Sequence, residues 1–158
     1  HDVALINAGV SGDTTAGGAA RIDWTLTPEV DALIIVLGGN DMLRGIDPTN
    51  ARTNIETILS RATDTGVQVL LVGMHAPGNY GPDYKREFDA LYPELAEEFG
   101  ALLYPHFFAA FDDVEQTAQA MRTYMQPDCI HPNAQGVARI VEDMLPSVET
   151  LVTQAAGS

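Results

Sequence analysis

Asp128 and His131 stand three residues apart in the stretch Asp128-Cys129-Ile130-His131-Pro132. A carboxylate at that spacing can accept the proton of one imidazole nitrogen, fixing the tautomer and leaving the other nitrogen as a base. Pro132 biases His131 away from helical backbone, so the pair belongs to a turn or extended segment leading into a helix. The same two residues would also suit a loop that merely caps a helix, and spacing alone does not separate the two readings. Asn40 offers side-chain N–H donors, and Gly12 lets a backbone N–H approach a ligand with no side chain in the way. Together they could stabilise the oxyanion of acyl transfer. Each taken singly reads equally well as turn or cap chemistry.

Other chemistries have less to build on. His75 and His106 read as partly buried loop histidines. Asp13, Asp41, Asp128 and His131 can be assembled on paper into a metal site, but no HExxH, HxH or regular ligand spacing supports one. There is no P-loop, no GxGxxG and no GxSxG elbow. No metal and no organic cofactor is expected.

The elements that must position these residues alternate along the chain. Val3 to Ile6, Ala32 to Leu37, Val67 to Val72 and Ala101 to Tyr104 are near-continuous apolar runs, as expected for strands covered on both faces. Asp47-Pro48 supplies a cap and a first-turn proline before Ile55, Ile58, Leu59 and Ala62, and Gly66 closes that helix. Phe88, Leu91, Tyr92, Leu95 and Phe99 repeat the pattern up to Gly100, with a kink or break expected at Pro93. The last helix carries Val137, Ile140, Val141, Met144, Leu145 and Val148, with another kink expected at Pro146. Asp13 is expected to cap a shorter helix running to about Trp24. Such alternation predicts a parallel sheet between helix layers, with the polar segments after each strand gathered on one rim.

Size and charge narrow the partners. The 158 residues make one domain, and 46% hydrophobic against 19% charged residues excludes a disordered chain. The longest apolar run has strand length, so no membrane insertion is expected. Twenty-two acids against eight bases give a net charge of −14, which excludes nucleic acid and anionic lipid surfaces as partners. The single cysteine, Cys129, permits no internal disulfide.

Four blocks in order resemble the SGNH, or GDSL, hydrolase family, in its bacterial thioesterase, lysophospholipase and arylesterase branch. They are Asn7-Ala8-Gly9-Val10-Ser11-Gly12-Asp13-Thr14, Leu37-Gly38-Gly39-Asn40-Asp41, Pro77-Gly78-Asn79-Tyr80-Gly81 and Asp128-Cys129-Ile130-His131-Pro132-Asn133. The resemblance implies a flavodoxin-like three-layer α/β sandwich with strand order 2-1-3-4-5. It implies a Ser-His-Asp triad in which His131 and Asp128 fill two roles, with Gly12 and Asn40 in the oxyanion hole. The loop from His75 to Asp83, with Ala76, Gly78, Asn79 and Tyr80, would border the acyl pocket. The substrate would be a small acyl ester or thioester, the compartment periplasmic or extracellular.

In the family the serine belongs to an earlier Gly-Asp-Ser block, and Ser11 only precedes the oxyanion glycine. Residues 1–158 contain no such block, so the nucleophile, the central first strand and the first helix are expected from a preceding segment, in cis or from a partner chain. Without that strand, Val3–Ile6 and Ala32–Leu37 would lose their shared neighbour, and the residues are not expected to fold stably alone. Two rival readings stand beside the hydrolase: a non-catalytic flavodoxin-like binding domain, and a metal-dependent phosphoesterase on the acidic rim.

Overall fold

The structure is a computed structural model, and it describes residues 3–113 and 122–157. In chain order it holds α1 (Thr15–Thr25), β1 (Ala32–Ile35), α2 (Gly39–Leu43), α3 (Pro48–Thr65), β2 (Gln68–Val72), α4 (Pro82–Phe99), β3 (Leu102–Tyr104) and α5 (Ala134–Ala156). Short 3₁₀ turns lie at Gly78–Tyr80 and Ala109–Phe111. The strands pair in parallel in the order β1-β2-β3, with Ile34 opposite Leu70 and Leu70 opposite Leu102.

Strand alternation separates the two helix layers. Ile35, Val69 and Leu71, with Leu33 and Leu103, pack into one cluster with α1, α3 and α4. Leu70, Val72 and Tyr104, with Ala32 and Leu102, pack instead with Met144, Val148 and Leu151 of α5. Successive residues of a strand point to opposite faces, so this division makes three layers. The first layer is well filled: Ile55, Phe88 and Leu95 are completely buried. The side chain of Asp47 caps α3, and Gly66 and Gly100 end α3 and α4 in the left-handed conformation, as their positions in the sequence predict.

Three expectations need correction. Val3–Ile6 forms no strand, and Val3, Leu5 and Ile6 are exposed. A strand is stable only when its backbone groups find partners, and this stretch pairs with none of the described residues. Among the described residues the sheet therefore has three strands rather than four. Pro93 does not break its helix, since α4 runs through the proline as a single helix, as α5 runs through Pro146. Finally, Thr14 rather than Asp13 caps α1, accepting from the Gly17 N–H. Asp13 is taken up by Arg21 at 2.9 Å. The reach of Phe107–Gln126 falls partly outside the described residues.

Candidate active site

Asp128 and His131 lie on a short turn closed just before α5. The Asn133 N–H donates to Tyr124 O and the Gln126 N–H to His131 O, each at 2.8 Å, and Met125 bridges Pro132 in antiparallel sense. Asn133 then caps α5, its side chain accepting from Gln135 and Gly136 N–H. Inside the turn, Asp128 Oδ1 accepts the Ile130 N–H at 2.9 Å and the His131 N–H at 3.0 Å. Its Oδ2 lies 2.8 Å from His131 Nδ1. The His131 N–H, then the imidazole, then the Ile130 N–H hold the Asp128 carboxyl down at about 2. The ionised carboxylate can only accept, so Nδ1 carries a proton, and in the neutral ring the lone pair falls on Nε2. His131 is exposed, and Nε2 has no partner among the described residues.

Gly12 is tied through Arg44 to α2, the helix that carries Asn40. Gly12 occupies the turn Val10-Ser11-Gly12-Asp13, closed by the Asp13 N–H donating to Val10 O at 3.2 Å, and has φ 77°. A Cβ there would meet no atom within 4 Å, so the approach to this residue is open. The Gly12 N–H and the Asn40 side-chain amide have no hydrogen-bond partner among the described residues. Two donors thus remain unpartnered among the described residues, one in a turn and one in the first turn of α2.

Their supports are well made. Asp41 is fully buried and accepts the Thr15 N–H at 2.9 Å and the Thr15 hydroxyl at 2.5 Å, which ties α2 to the start of α1. Asn54 of α3 donates to the same hydroxyl at 3.0 Å. Arg44 donates to Gly12 O at 3.1 Å, and Arg21 reaches back to Ala8 O at 2.7 Å. Gly38, at φ 110°, starts α2; a Cβ on it would sit 2.0 Å from the Tyr92 hydroxyl, which donates to Leu37 O.

Of the four residues expected along the acyl pocket, Gly78, Asn79 and Tyr80 are exposed and Ala76 is buried. Lys85 and Asp89 of α4 grip the Ala76 peptides from both sides. Lys85 Nζ donates to Ala76 O at 2.8 Å, Asp89 accepts the Ala76 N–H at 2.7 Å, and the two side chains pair at 2.7 Å. Tyr80 donates to Leu43 O at 3.2 Å and so leans on the end of α2. His106 is buried as expected and lies 2.9 Å from Asp112, but His75 is exposed and stacks on the His106 ring at 4.1 Å. Desolvation, then the neighbouring His106, lowers the His75 pKa.

The paper metal site is not assembled. Asp13 goes to Arg21, Asp41 to Thr15 and Asp128 to His131. The residues that sequence reading missed are the supports: Thr15, Arg44, Lys85 and Asp89. The i,i+4 spacing of Lys85 and Asp89 was the one available signal. Contacts of Thr15 and Arg44 across 26 and 32 residues leave no local trace.

A parallel sheet with helices on both faces makes the chain an α/β protein, and its described residues include an imidazole–carboxylate pair and two N–H donors without partners. The sequence profile of the GDSL-like Lipase/Acylhydrolase family matches residues 1–139, and the chain belongs to that family. The esterase TesA of Pseudomonas aeruginosa is 37% identical over 153 residues, spanning 96% of this chain and 73% of the relative. The thioesterase 1/protease 1/lysophospholipase L1 of Escherichia coli K12 is 36% identical over 149 residues, spanning 94% and 68%. Among solved structures, AlinE4, an SGNH-hydrolase family esterase, superposes with a TM-score of 0.71 at 42% identity, covering 94% of this chain and 77% of its own.

Proposed function

We propose that the chain is the greater part of a serine ester or thioester hydrolase, with His131 as general base, Asp128 as its orienting carboxylate, and Gly12 N–H and the Asn40 amide as oxyanion donors. A serine hydroxyl gives its proton to His131 Nε2 as it attacks the acyl carbonyl, and the imidazolium returns that proton to the leaving group. The carbonyl oxygen gains its charge between Gly12 and Asn40. Water then repeats the sequence on the acyl-enzyme, with His131 again as base. Ala76, Gly78, Asn79 and Tyr80 border the acyl group.

The observation that carries this reading is the 2.8 Å contact between Asp128 Oδ2 and His131 Nδ1, which leaves Nε2 unoccupied on an exposed ring. The activities named for the relatives point to the same substrate class. The nucleophile comes from a further segment that adds a strand to the open edge of β1 and a helix beside α5. Apolar surface on that side supports it: Ile34 and Val36 of the β1 stretch, and Val137, Val141 and Leu145 of α5, are exposed. Treating the serine-containing protein with a serine-directed phosphonate tests the assignment. One phosphonyl adduct per chain with complete loss of esterase turnover, and no loss in chelator, is the expected result. Turnover that survives the phosphonate but not the chelator would return the reading to a metal-dependent phosphoesterase.

A further inference from the structure

We propose that Arg44 is a positioning residue for the oxyanion donors: it locks the peptide that follows Gly12 to the helix that carries Asn40. The inference rests on the hydrolase reading above. The peptide joining Gly12 to Asp13 is held at both ends. Its carbonyl accepts from Arg44 Nη2 at 3.1 Å, and its N–H donates to Val10 O at 3.2 Å. The unpartnered Gly12 N–H belongs to the preceding peptide and is linked to that plane only through the φ, at 77°, and ψ of Gly12, so holding the following peptide narrows its direction. Arg44 caps the C-terminal end of α2, one turn beyond Asn40, and its own N–H donates to Asn40 O at 3.2 Å. One residue is therefore bonded to both donor residues.

Arg21, Arg52, Arg61, Arg86, Arg139 and Lys85 each pair with a carboxylate, whereas Arg44, like Arg122, has no such partner among the described residues despite a net charge of −14. The guanidinium is exposed and bonded to a carbonyl, so its positive charge stays uncompensated next to the donor loop. An oxyanion forming at Gly12 would be favoured by that charge as well as by the fixed N–H.

The test is kinetic, in the serine-containing protein with a p-nitrophenyl ester. Arg44→Met is expected to lower kcat about tenfold with KM little changed, because the interaction is made in the transition state. Arg44→Lys, which keeps a cationic donor, is expected to recover most of the loss. The melting temperature should not move, since the bond lies at the surface. Asn40→Ala serves as companion. If Asn40→Ala reduces kcat and Arg44→Met does not, the hydrolase reading stands and the role of Arg44 is overturned. If Asn40→Ala leaves kcat intact, the oxyanion assignment fails and the role of Arg44 fails with it. A loss in Arg44→Met that Arg44→Lys does not recover, or that tracks a fall in melting temperature, also overturns it.

Discussion

The two faces of the sheet are built from equally apolar strands but are covered to different degrees. Toward α1, α3 and α4, Ile35 and Leu71 are buried, and Phe88 and Leu95 of α4 are sealed behind them. Toward α5, Leu70 and Val72 are buried at the centre, but Ile34 stays 38% and Val36 43% exposed at the β1 side. Helix α5 covers the middle of its face with Met144, Val148 and Leu151 and leaves Val137, Val141 and Leu145 in solvent. The exposed residues form an i, i+4, i+8 stripe, the pattern of a face built to pack. Apolar periodicity therefore specifies which residues want cover, and a neighbouring element decides whether they get it.

Breaking the filled face should cost most. Phe88→Ala empties a fully buried position against Tyr84 and Tyr92 and is expected to destabilise by about 3–5 kcal/mol in chemical denaturation. A cost below 1 kcal/mol would mean that this face is not the tighter one. Next comes the donor loop. Gly38→Ala forces a Cβ onto the Tyr92 hydroxyl at a left-handed φ, and a loss of about 1–3 kcal/mol is expected from thermal melting. An unchanged melting temperature would contradict the close approach. On the uncovered face, Val141→Ala should cost about 1 kcal/mol or more in the serine-containing protein, where the proposed strand and helix cover it. A cost within about 0.5 kcal/mol, that of an exposed position, would remove the case for a covering layer.

The smallest effect concerns acid. Asp128 is held down at about 2 from an ordinary 3.8, so it remains charged through the mildly acidic range. For a depressed carboxyl the stabilising contribution is present above the unfolded value and is lost as pH falls toward the folded one. Titration of Asp128 by NMR should therefore show no midpoint between pH 3 and 5. A midpoint near 4 would mean that the turn does not hold the carboxylate as described.

Much of this was readable from the chain, and the failures share a cause. The Asp47-Pro48 start and Gly66 end of α3 are local signals, and both carried through. So did the Asp128 to His131 spacing, because three residues and a proline set that turn. Val3–Ile6 failed because a strand needs a partner that composition cannot supply. The break expected at Pro93 failed because tertiary packing can hold a helix through a proline that propensity alone would break it at. The buried Asp41–Thr15 contact and the Arg44–Gly12 contact joined residues far apart in sequence, so neither left a periodic trace.

Single-turnover hydrolysis of a short-chain p-nitrophenyl ester by the serine-containing protein, comparing wild type with His131→Ala, addresses the base directly. Removal of the imidazole is expected to slow acyl transfer by about 10²–10⁴-fold while the fold is retained, since the ring is exposed. Equal rates for the two proteins would take His131 out of the reaction and, with it, the assignment of the rim as an active site.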